Sequence, residues 1–291
     1  MSTRRDVLRT LGVAGLALSL PRSLRAMTDS PLAGRSGFGD VDRLDGVGVQ
    51  LYTLRNEMRR DPEGTLARIG EIGFSEIEWW GEFGRTPEQL RALLDRHRLR
   101  APAWHLAPEQ LEPARLDATL RTAQVMGHKH LIVAWLPPAQ RNADGFKRIG
   151  ELLSNAGRRL ASEGIRTGYH NHDFEFARVG NETVWDVLLA NTDASVVDLE
   201  LDCFWAFKAG HDSIAMLQRY RERITHLHIK DSAGAPEHRQ VDVGAGVIDW
   251  KRLLEVATAG RVKHIFVEHD EPADAWATVT AGRRYLRGVG Y

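Results

Sequence analysis

The sequence has a single cysteine, Cys203, among its 291 residues. It can therefore form neither an intrachain disulfide nor a zinc site built from several thiolates. An excess of charge is also absent, because 39 lysines and arginines balance 39 aspartates and glutamates. A chain without a basic surface is poorly suited to nucleic acid, so a small molecule is the expected partner.

Long hydrophobic runs are lacking too, since the apolar run at residues 11–20 is too short to span a bilayer comfortably. It follows Arg4 and Arg5 and precedes Ala26, which is the pattern of a twin-arginine export signal. We expect residues 1–26 to direct export to the periplasm or the cell exterior, with no membrane association after their removal. Their loss leaves 34 basic and 38 acidic residues, a net charge of −4.

The remainder of the chain shows a repeating organisation. Residues 27–46 lack apolar periodicity and are interpreted as a linker. From residue 47 onward, short β-type runs alternate with longer amphipathic stretches, as in βα units around a parallel sheet. Strands are predicted at Val47–Thr53, Glu76–Trp79, Ala101–His105, His130–Ala134, Arg166–His170, Val196–Leu201, Ile224–Ile229 and His264–Val267. Eight such units, without a glycine-rich dinucleotide fingerprint, predict a single-domain α/β fold, a (β/α)₈ TIM barrel over residues 47–291.

The predicted strand ends carry many residues that are able to bind a metal ion. Active sites of such barrels lie at the C-terminal strand ends. The polar residues there are Gln50, Tyr52, Arg55, Glu78, His105, His170, His172, Glu175, Glu200, Asp202, His226, His228, Lys230, Glu268 and Asp270. Imidazoles and carboxylates without thiolates are the ligands of a catalytic divalent cation. His226 and His228 share one face of their strand, and only one of them is needed as a ligand.

Several of these segments resemble the sugar phosphate isomerase/epimerase superfamily, whose members have xylose isomerase-like barrels. They are Tyr-His-Asn-His-Asp-Phe-Glu-Phe at 169–176, Leu-Glu-Leu-Asp at 199–202, His-Leu-His-Ile-Lys-Asp at 226–231, Gly-Ala-Gly at 244–246 and Val-Glu-His-Asp at 267–270. The first strand, Gly-Val-Gln-Leu-Tyr at 48–52, is similar as well, and the likeness covers about residues 47–287. The resemblance implies one divalent ion, with Mn²⁺ favoured and Zn²⁺, Co²⁺, Fe²⁺ and Mg²⁺ as alternatives. Its implied ligands are Asp202, His228, Glu268 and the residue at position 170.

Position 170 is where this sequence departs from the family pattern. Many relatives have a glutamate there, and paired glutamates act as acid and base on opposite faces of the substrate. This chain has His170. A neutral imidazole that holds a metal cannot also shuttle protons as a free carboxylate oxygen does, so symmetrical two-glutamate epimerisation is in doubt. His172 and Glu175 remain alternatives on the same segment.

The expected chemistry is proton abstraction beside a metal-chelated oxygen of a sugar or keto-sugar. Glu268 or a nearby histidine, with His172 among the candidates, removes the proton, and Lys230 neutralises the developing charge. His105 and Glu78 are expected to orient hydroxyl groups across the mouth of the barrel. Aromatic faces suit the apolar side of a sugar ring. The residues expected to bind substrate are Gln50, Tyr52, Glu78, Trp104 and Trp205.

The first expectation is a divalent-metal-dependent sugar isomerase or epimerase, in which the intermediate is reprotonated. The alternative is a keto-inositol dehydratase or 3-keto-glycoside lyase, in which a leaving group is expelled. The export signal and the missing glutamate favour elimination slightly. A non-catalytic, metal-anchored carbohydrate-binding protein would not need Glu268, Lys230 and His105 together. The sequence leaves a homodimer open and gives no support for a phosphorylated substrate beyond Gly244 and Gly246.

Overall fold

The computed structural model describes residues 44–291, so the predicted signal peptide and all but the last three residues of the predicted linker lie outside it. The barrel strands are β1 (Gly46–Gln50), β2 (Glu76–Trp79), β3 (Arg100–Leu106), β4 (His130–Val133), β5 (Arg166–His170), β6 (Val197–Asp202), β7 (Ile224–Ile229) and β8 (His264–Val267). They form a closed parallel barrel in the order β1-β8-β7-β6-β5-β4-β3-β2. The predicted TIM barrel is confirmed.

Helices connect the strands on the outside of the barrel. They are α1 (Arg55–Arg60), α2 (Pro62–Ile72), α3 (Pro87–Arg96), α4 (Pro113–Met126), α5 (Ala143–Leu160), α6 (Val184–Ala190), α7 (Cys203–Lys208), α8 (Ser213–Arg219), α9 (Trp250–Thr258) and α10 (Ala275–Gly288). Local signals set their ends: the Thr86 side chain caps α3, which begins with Pro87. Gly73 ends α2 with φ of 99°, a left-handed conformation that glycine adopts without steric cost.

The interior of the barrel has an apolar middle level. Ala103, Ile132 and Phe266 form a small buried cluster of their own, apart from the main core between barrel and helices. Gly48 makes room for the Phe266 ring, because an added Cβ would lie 2.4 Å from it. Alternate residues of a strand face the same side, so each strand also sends polar side chains inward above and below this level. The C-terminal side is called the mouth below, and the N-terminal side the base.

The strand boundaries differ from the predicted ones mainly at β1. This strand begins at Gly46, which pairs with His264 of β8, so the barrel starts at the last residue of the predicted linker, one residue earlier than predicted. It stops at Gln50 because the next residues turn: Thr53 N–H donates to the carbonyl of Gln50, and Leu54 N–H to that of Leu51. Among the described residues, no helix combines the length and the apolar character needed to cross a membrane.

Candidate metal centre and active-site cavity

Three neighbouring strands bring Asp202, His228 and Glu268 together at the mouth; this trio is called the mouth cluster. Asp202 ends β6, and its Oδ1 accepts a hydrogen bond of 3.0 Å from the backbone N–H of Trp205, which caps α7. His228 Nδ1 lies 2.7 Å from Glu268 Oε2 and 3.8 Å from Asp202 Oδ2. One ligand atom of each residue can be chosen so that all three atoms lie within 4.8 Å of one another. This spacing allows the three residues to bind a single ion.

Lys230 stands beside the mouth cluster and is fully buried. Its Nζ lies 2.7 Å from Glu268 Oε2, 3.0 Å from Asp202 Oδ2 and 3.0 Å from Asp270 Oδ1. Burial disfavours the charged amine, but the three carboxylates outweigh that effect and raise the pKa of Lys230 well above its usual value. The site therefore holds a permanent positive charge next to Glu268.

A second group of side chains adjoins the first and shares His228 with it. Glu200 Oε2 lies 2.6 Å from His105 Nε2, 3.2 Å from His170 Nδ1 and 3.4 Å from His228 Nε2. Glu200 was not among the predicted site residues. The signal was present in the sequence, because period two places Glu200 and Asp202 on the same inward face of β6.

Gln50 and Glu78 form the floor beneath these imidazoles. Glu78 Oε2 accepts a hydrogen bond of 2.7 Å from Gln50 Nε2 and lies 2.5 Å from His228 Nε2. Both side chains are fully buried, and neither lines the cavity at the mouth. The structure thus places these two predicted substrate-binding residues as supports of His105 and His228 instead.

The carboxylates change the proton affinity of the buried imidazoles. Burial disfavours a charged His105, but Glu78 and Glu200 outweigh it and raise its pKa to about 9. Burial likewise opposes charging of His228, whose pKa Glu200 and Glu268 raise well above the usual value. For His170, burial and the charge of His228 lower the pKa well below the usual value. The carboxylates thus favour the protonated forms of His105 and His228. His170 is kept neutral, and the neutral imidazole is the form that binds a metal.

The side chains present fit a divalent cation. Buried carboxylate oxygens normally have a hydrogen-bond partner, yet Oε1 of Glu78 and Oε1 of Glu200 have none among the described residues. Nitrogen and oxygen donors without sulfur suit Mn²⁺, Zn²⁺, Co²⁺ or Fe²⁺. Asp202, His228 and Glu268 would hold the ion, and His170 is next to them, with Nε2 3.8 Å from Asp202 Oδ2.

The other two candidates on the strand-five segment have different positions. Glu175 turns away from the mouth: its carboxylate accepts 2.8 Å hydrogen bonds from the Tyr169 hydroxyl and from the His172 N–H. Burial raises the pKa of Glu175 to about 8. His172 stacks on Phe174 and its ring lies 5.3 Å from that of Trp205. Burial and the charge of Lys230 lower the pKa of His172 to about 3. Of the three candidates, His170 is the one nearest to Asp202.

A cavity of about 750 Å³ opens above the cluster at the mouth. Its polar lining includes Glu268, Asp270, His105, His170 and His172. Its aromatic lining consists of Tyr52, Trp80, Trp104 and Trp135. Tyr52 and Trp104, two of the predicted substrate-binding residues, therefore face the cavity, whereas Trp205 stays outside it, 5.5 Å from Lys230 Nζ.

The glycine pair near the mouth is already engaged by a side chain. The Asp231 carboxylate accepts hydrogen bonds from the N–H groups of Gly244 at 2.9 Å, Gly246 at 3.2 Å and Ile248 at 3.3 Å. An added Cβ at Gly246 would lie 2.2 Å from Asp231 Oδ1. These amides hold the loop closed around Asp231 and do not form a phosphate cradle.

Comparison with known proteins gives a consistent set of relatives. A family model described as a xylose isomerase-like TIM barrel matches residues 66–287. The chain is 26% identical to an inosose dehydratase of Geobacillus kaustophilus over 57% of this chain and 60% of the relative. It is 25% identical to an inosose dehydratase of Lacticaseibacillus casei over 73% of this chain and 84% of the relative.

Solved structures show the same fold. A sugar phosphate isomerase/epimerase of Parabacteroides distasonis has a TM-score of 0.71 and 24% identity, over 83% of this chain and 97% of that chain. An IOLI protein with a binding zinc atom has a TM-score of 0.63 and 15% identity, over 84% and 97%. We predicted an isomerase, epimerase or carbon–oxygen lyase acting on a sugar, and the relatives are enzymes of this kind.

Proposed function

The chain belongs to the family of xylose isomerase-like TIM barrels, and from this membership we propose that it is a divalent-metal-dependent carbon–oxygen lyase acting on a keto-sugar. The observation that carries the proposal is the convergence of Asp202, His228 and Glu268 beneath an aromatic-lined cavity. Its curated relatives named inosose dehydratase support an elimination on a cyclic keto compound.

Glu268 is the proposed base. Burial raises the pKa of Glu268, but the opposite effect of Lys230 and His228 is larger. The pKa of Glu268 is therefore well below its usual value, and the carboxylate is ionised. It also lines the cavity in which a substrate would bind. When bound, a divalent cation supplies Lewis-acid polarisation of adjacent substrate oxygens, which acidifies the neighbouring C–H bond.

The remaining steps use groups on either side of Glu268. The C–H bond breaks, its proton passes to a Glu268 oxygen, and its electron pair delocalises into the neighbouring carbonyl of the keto-sugar. The carbonyl then re-forms and the electron pair makes the new carbon–carbon double bond as the C–O bond at the β carbon breaks; the leaving oxygen takes a proton. His105 lines the cavity, and its pKa of about 9 keeps a proton available for that oxygen. Lys230 offsets the negative charge that builds up on the substrate.

Elimination is proposed over epimerisation because position 170, where the family pattern has the glutamate paired with Glu268, carries a histidine in this chain. Reprotonation from the other face requires such a group, and the pKa of His170 is too low to deliver a proton at neutral pH. A substrate of this kind would meet the protein outside the cytoplasm: we also propose export through the twin-arginine pathway on the basis of Arg4, Arg5 and the apolar run that follows.

The test is incubation of the metal-loaded protein in D₂O with a 3-keto-glycoside, a keto-inositol and a free ketose. We expect leaving-group release from one of the first two, without accumulation of deuterated starting material. Deuterium exchange into a ketose, with no release from any substrate, would contradict the lyase and favour an epimerase.

His170→Glu sharpens this test, because it restores the paired carboxylates of the family pattern. For a lyase, the additional negative charge makes the bound ion a poorer Lewis acid, and we expect release to fall several-fold while metal is retained. His211→Glu adds the same charge at a residue that does not line the cavity, and it serves as the matched control. Higher deuterium incorporation without release in His170→Glu would contradict elimination.

A further inference from the structure

A second set of three histidines lies inside the barrel at its base. His130 begins β4, His264 begins β8, and His226 lies in β7; these three residues are called the basal cluster. The ring of His226 is 4.2 Å from that of His130 and 4.9 Å from that of His264, measured between centroids. One nitrogen from each ring can be chosen so that all three lie within 4.8 Å of one another.

Each ring of the basal cluster is held by one of its two nitrogens. His264 Nδ1 lies 2.8 Å from Glu76 Oε2, and His226 Nδ1 lies 2.8 Å from Thr225 Oγ1. His130 Nε2 lies 3.5 Å from Asp198 Oδ2. Protein histidines that bind a metal are usually oriented in this way, with the non-ligating nitrogen on a carboxylate or other oxygen.

The opposite nitrogens are the unusual feature. His226 Nε2 and His130 Nδ1 are buried and have no hydrogen-bond partner among the described residues. His226 itself is 1% exposed, so its free nitrogen is shielded from bulk solvent. Buried polar atoms without a partner are rare, and one explanation for such an atom is an ion that is bound there.

The charges around the basal cluster are already balanced. Glu76 pairs with Arg100 at 2.9 Å, and Asp198 pairs with Arg166 at 2.6 Å. Because Glu76 and Asp198 each have an arginine, the described residues of the site offer imidazole nitrogens and no unpaired carboxylate. A site of this composition favours Zn²⁺ or another imidazole-preferring ion over Mg²⁺ or Mn²⁺.

We propose that His130, His226 and His264 form a second metal site, structural in role, that binds Zn²⁺ at the base of the barrel. A Zn–N bond of about 2.0–2.1 Å requires the three nitrogens, which lie within 4.8 Å of one another, to move closer together when the ion binds. The ion would join β4 to β7 and β8 across the barrel interior. Solvent reaches the site from the base, where the side chain of His130 is 15% exposed.

The apolar middle level separates this site from the mouth. The Phe266 ring stacks against both His226 and His264, with centroids 6.2 Å and 6.4 Å away. The basal ion would therefore take no part in the chemistry proposed for the mouth, and its presence does not depend on that proposal. Catalytic residues of TIM barrels lie at the C-terminal ends of the strands, whereas residues at the N-terminal end usually contribute to stability.

The test is zinc stoichiometry. Protein stripped with a chelator is reloaded with Zn²⁺, desalted, and analysed for metal and for melting temperature, alongside His130→Gln, His264→Gln and the control His211→Gln. His211 lies outside both clusters and stacks on Phe176. We expect two ions in the wild type and in His211→Gln, and one in each basal variant. Zinc should raise the melting temperature less in the basal variants than in the control.

The outcomes separate the two sites. If the mouth failed to bind zinc, the wild type would hold one ion and the basal variants none, which still supports the basal site. Equal zinc in all four proteins would overturn the proposal. If a basal variant does not fold, anomalous diffraction from zinc-loaded wild-type crystals decides: a peak bonded to all three rings supports the site, and its absence contradicts it.

Discussion

The mouth and the base of the barrel both bring imidazoles and carboxylates together, but they differ in how the carboxylates are neutralised. At the base, Glu76 and Asp198 each have an arginine, Arg100 and Arg166. At the mouth, one buried amine, Lys230, faces three carboxylates. The two ends of the barrel have similar residue types, but the carboxylates at the mouth are not each paired with an arginine. For this reason we propose that the reaction takes place at the mouth.

This difference follows from geometry as well as from composition. The arginines at the base extend from strand starts, where part of each side chain reaches solvent. At the mouth, Glu78 and Glu200 are fully buried, and their neighbours are histidines that respond by a raised pKa, as His105 and His228 do. A cation bound there would displace protons, so binding should weaken as the pH falls.

The largest expected effect is a loss of turnover, and it tests whether catalysis depends on a carboxylate at the mouth and not on one at the base. Glu268→Gln removes the proposed base while it preserves shape, and we expect turnover to fall by about 10²–10⁴-fold. Glu76→Gln makes the same chemical change at the base and should retain most of the activity per folded, metal-loaded chain. Turnover and bound metal are measured on both variants. Similar losses in both would mean that the carboxylate at the mouth has no special role.

A smaller effect is expected from the lysine. Lys230→Met removes the positive charge beside Glu268, and we expect turnover to fall by about 10²-fold, as for the loss of one charge-stabilising donor. Metal should be retained, because the neighbouring carboxylates remain. Lys208→Met breaks a partly exposed ion pair with Asp173 and is the matched control. Unchanged turnover in Lys230→Met would limit this residue to packing.

The last effect is on stability rather than on turnover, and it concerns Glu175, a buried acid that has no salt-bridge partner among the described residues. The folded-state pKa of Glu175 is raised to about 8, mainly by burial, so its contribution to stability is present below the unfolded value near 4.5. It is lost as the pH rises towards 8, at about 1.4 kcal/mol per pKa unit. We expect Glu175→Gln to flatten the fall in melting temperature between pH 5 and 8. The pKa of Asp198 is shifted in the opposite direction, so its effect on stability should have the opposite pH dependence.

Burial raises the pKa of Asp198, but His130 and Arg166 lower it below the usual value, so its stabilisation is present above about pH 4 and is lost on acidification. Asp198→Asn should therefore cost stability at pH 7 and little below pH 3. If Glu175→Gln and Asp198→Asn changed the pH profile in the same direction, the contrast between an unpaired and an arginine-paired acid would be wrong.

The sequence was sufficient to predict most of the fold. Four strands, including Glu76–Trp79 and Ile224–Ile229, were predicted with the bounds that the structure shows. Their β-type runs are short, and in β7 and β8 a charged residue, Lys230 or Glu268, follows directly and marks the end of the strand. The end of β1 was missed because Leu51 and Thr53 belong to a turn whose backbone bonds leave no trace in the apolar pattern.

The site was predictable only in part. Asp202, His228 and Glu268 follow the positional rule for barrel active sites, and the structure brings them together. Whether a side chain faces the cavity depends on depth along the barrel, which a one-dimensional pattern does not give. For this reason Gln50 and Glu78 were expected to contact substrate although they are buried beneath His105. Glu200 was named among the polar strand-end residues but was given no role, although it shares the inward face of its strand with Asp202.

The central claim is that a divalent ion is bound by the mouth cluster. The direct measurement is anomalous diffraction from crystals of protein purified without chelators and loaded with Mn²⁺, collected at the manganese edge. We expect one strong peak within about 2.3 Å of oxygens of Asp202 and Glu268 and of nitrogens of His228 and His170. A mouth without a peak, in crystals whose manganese is bound elsewhere, would contradict the claim.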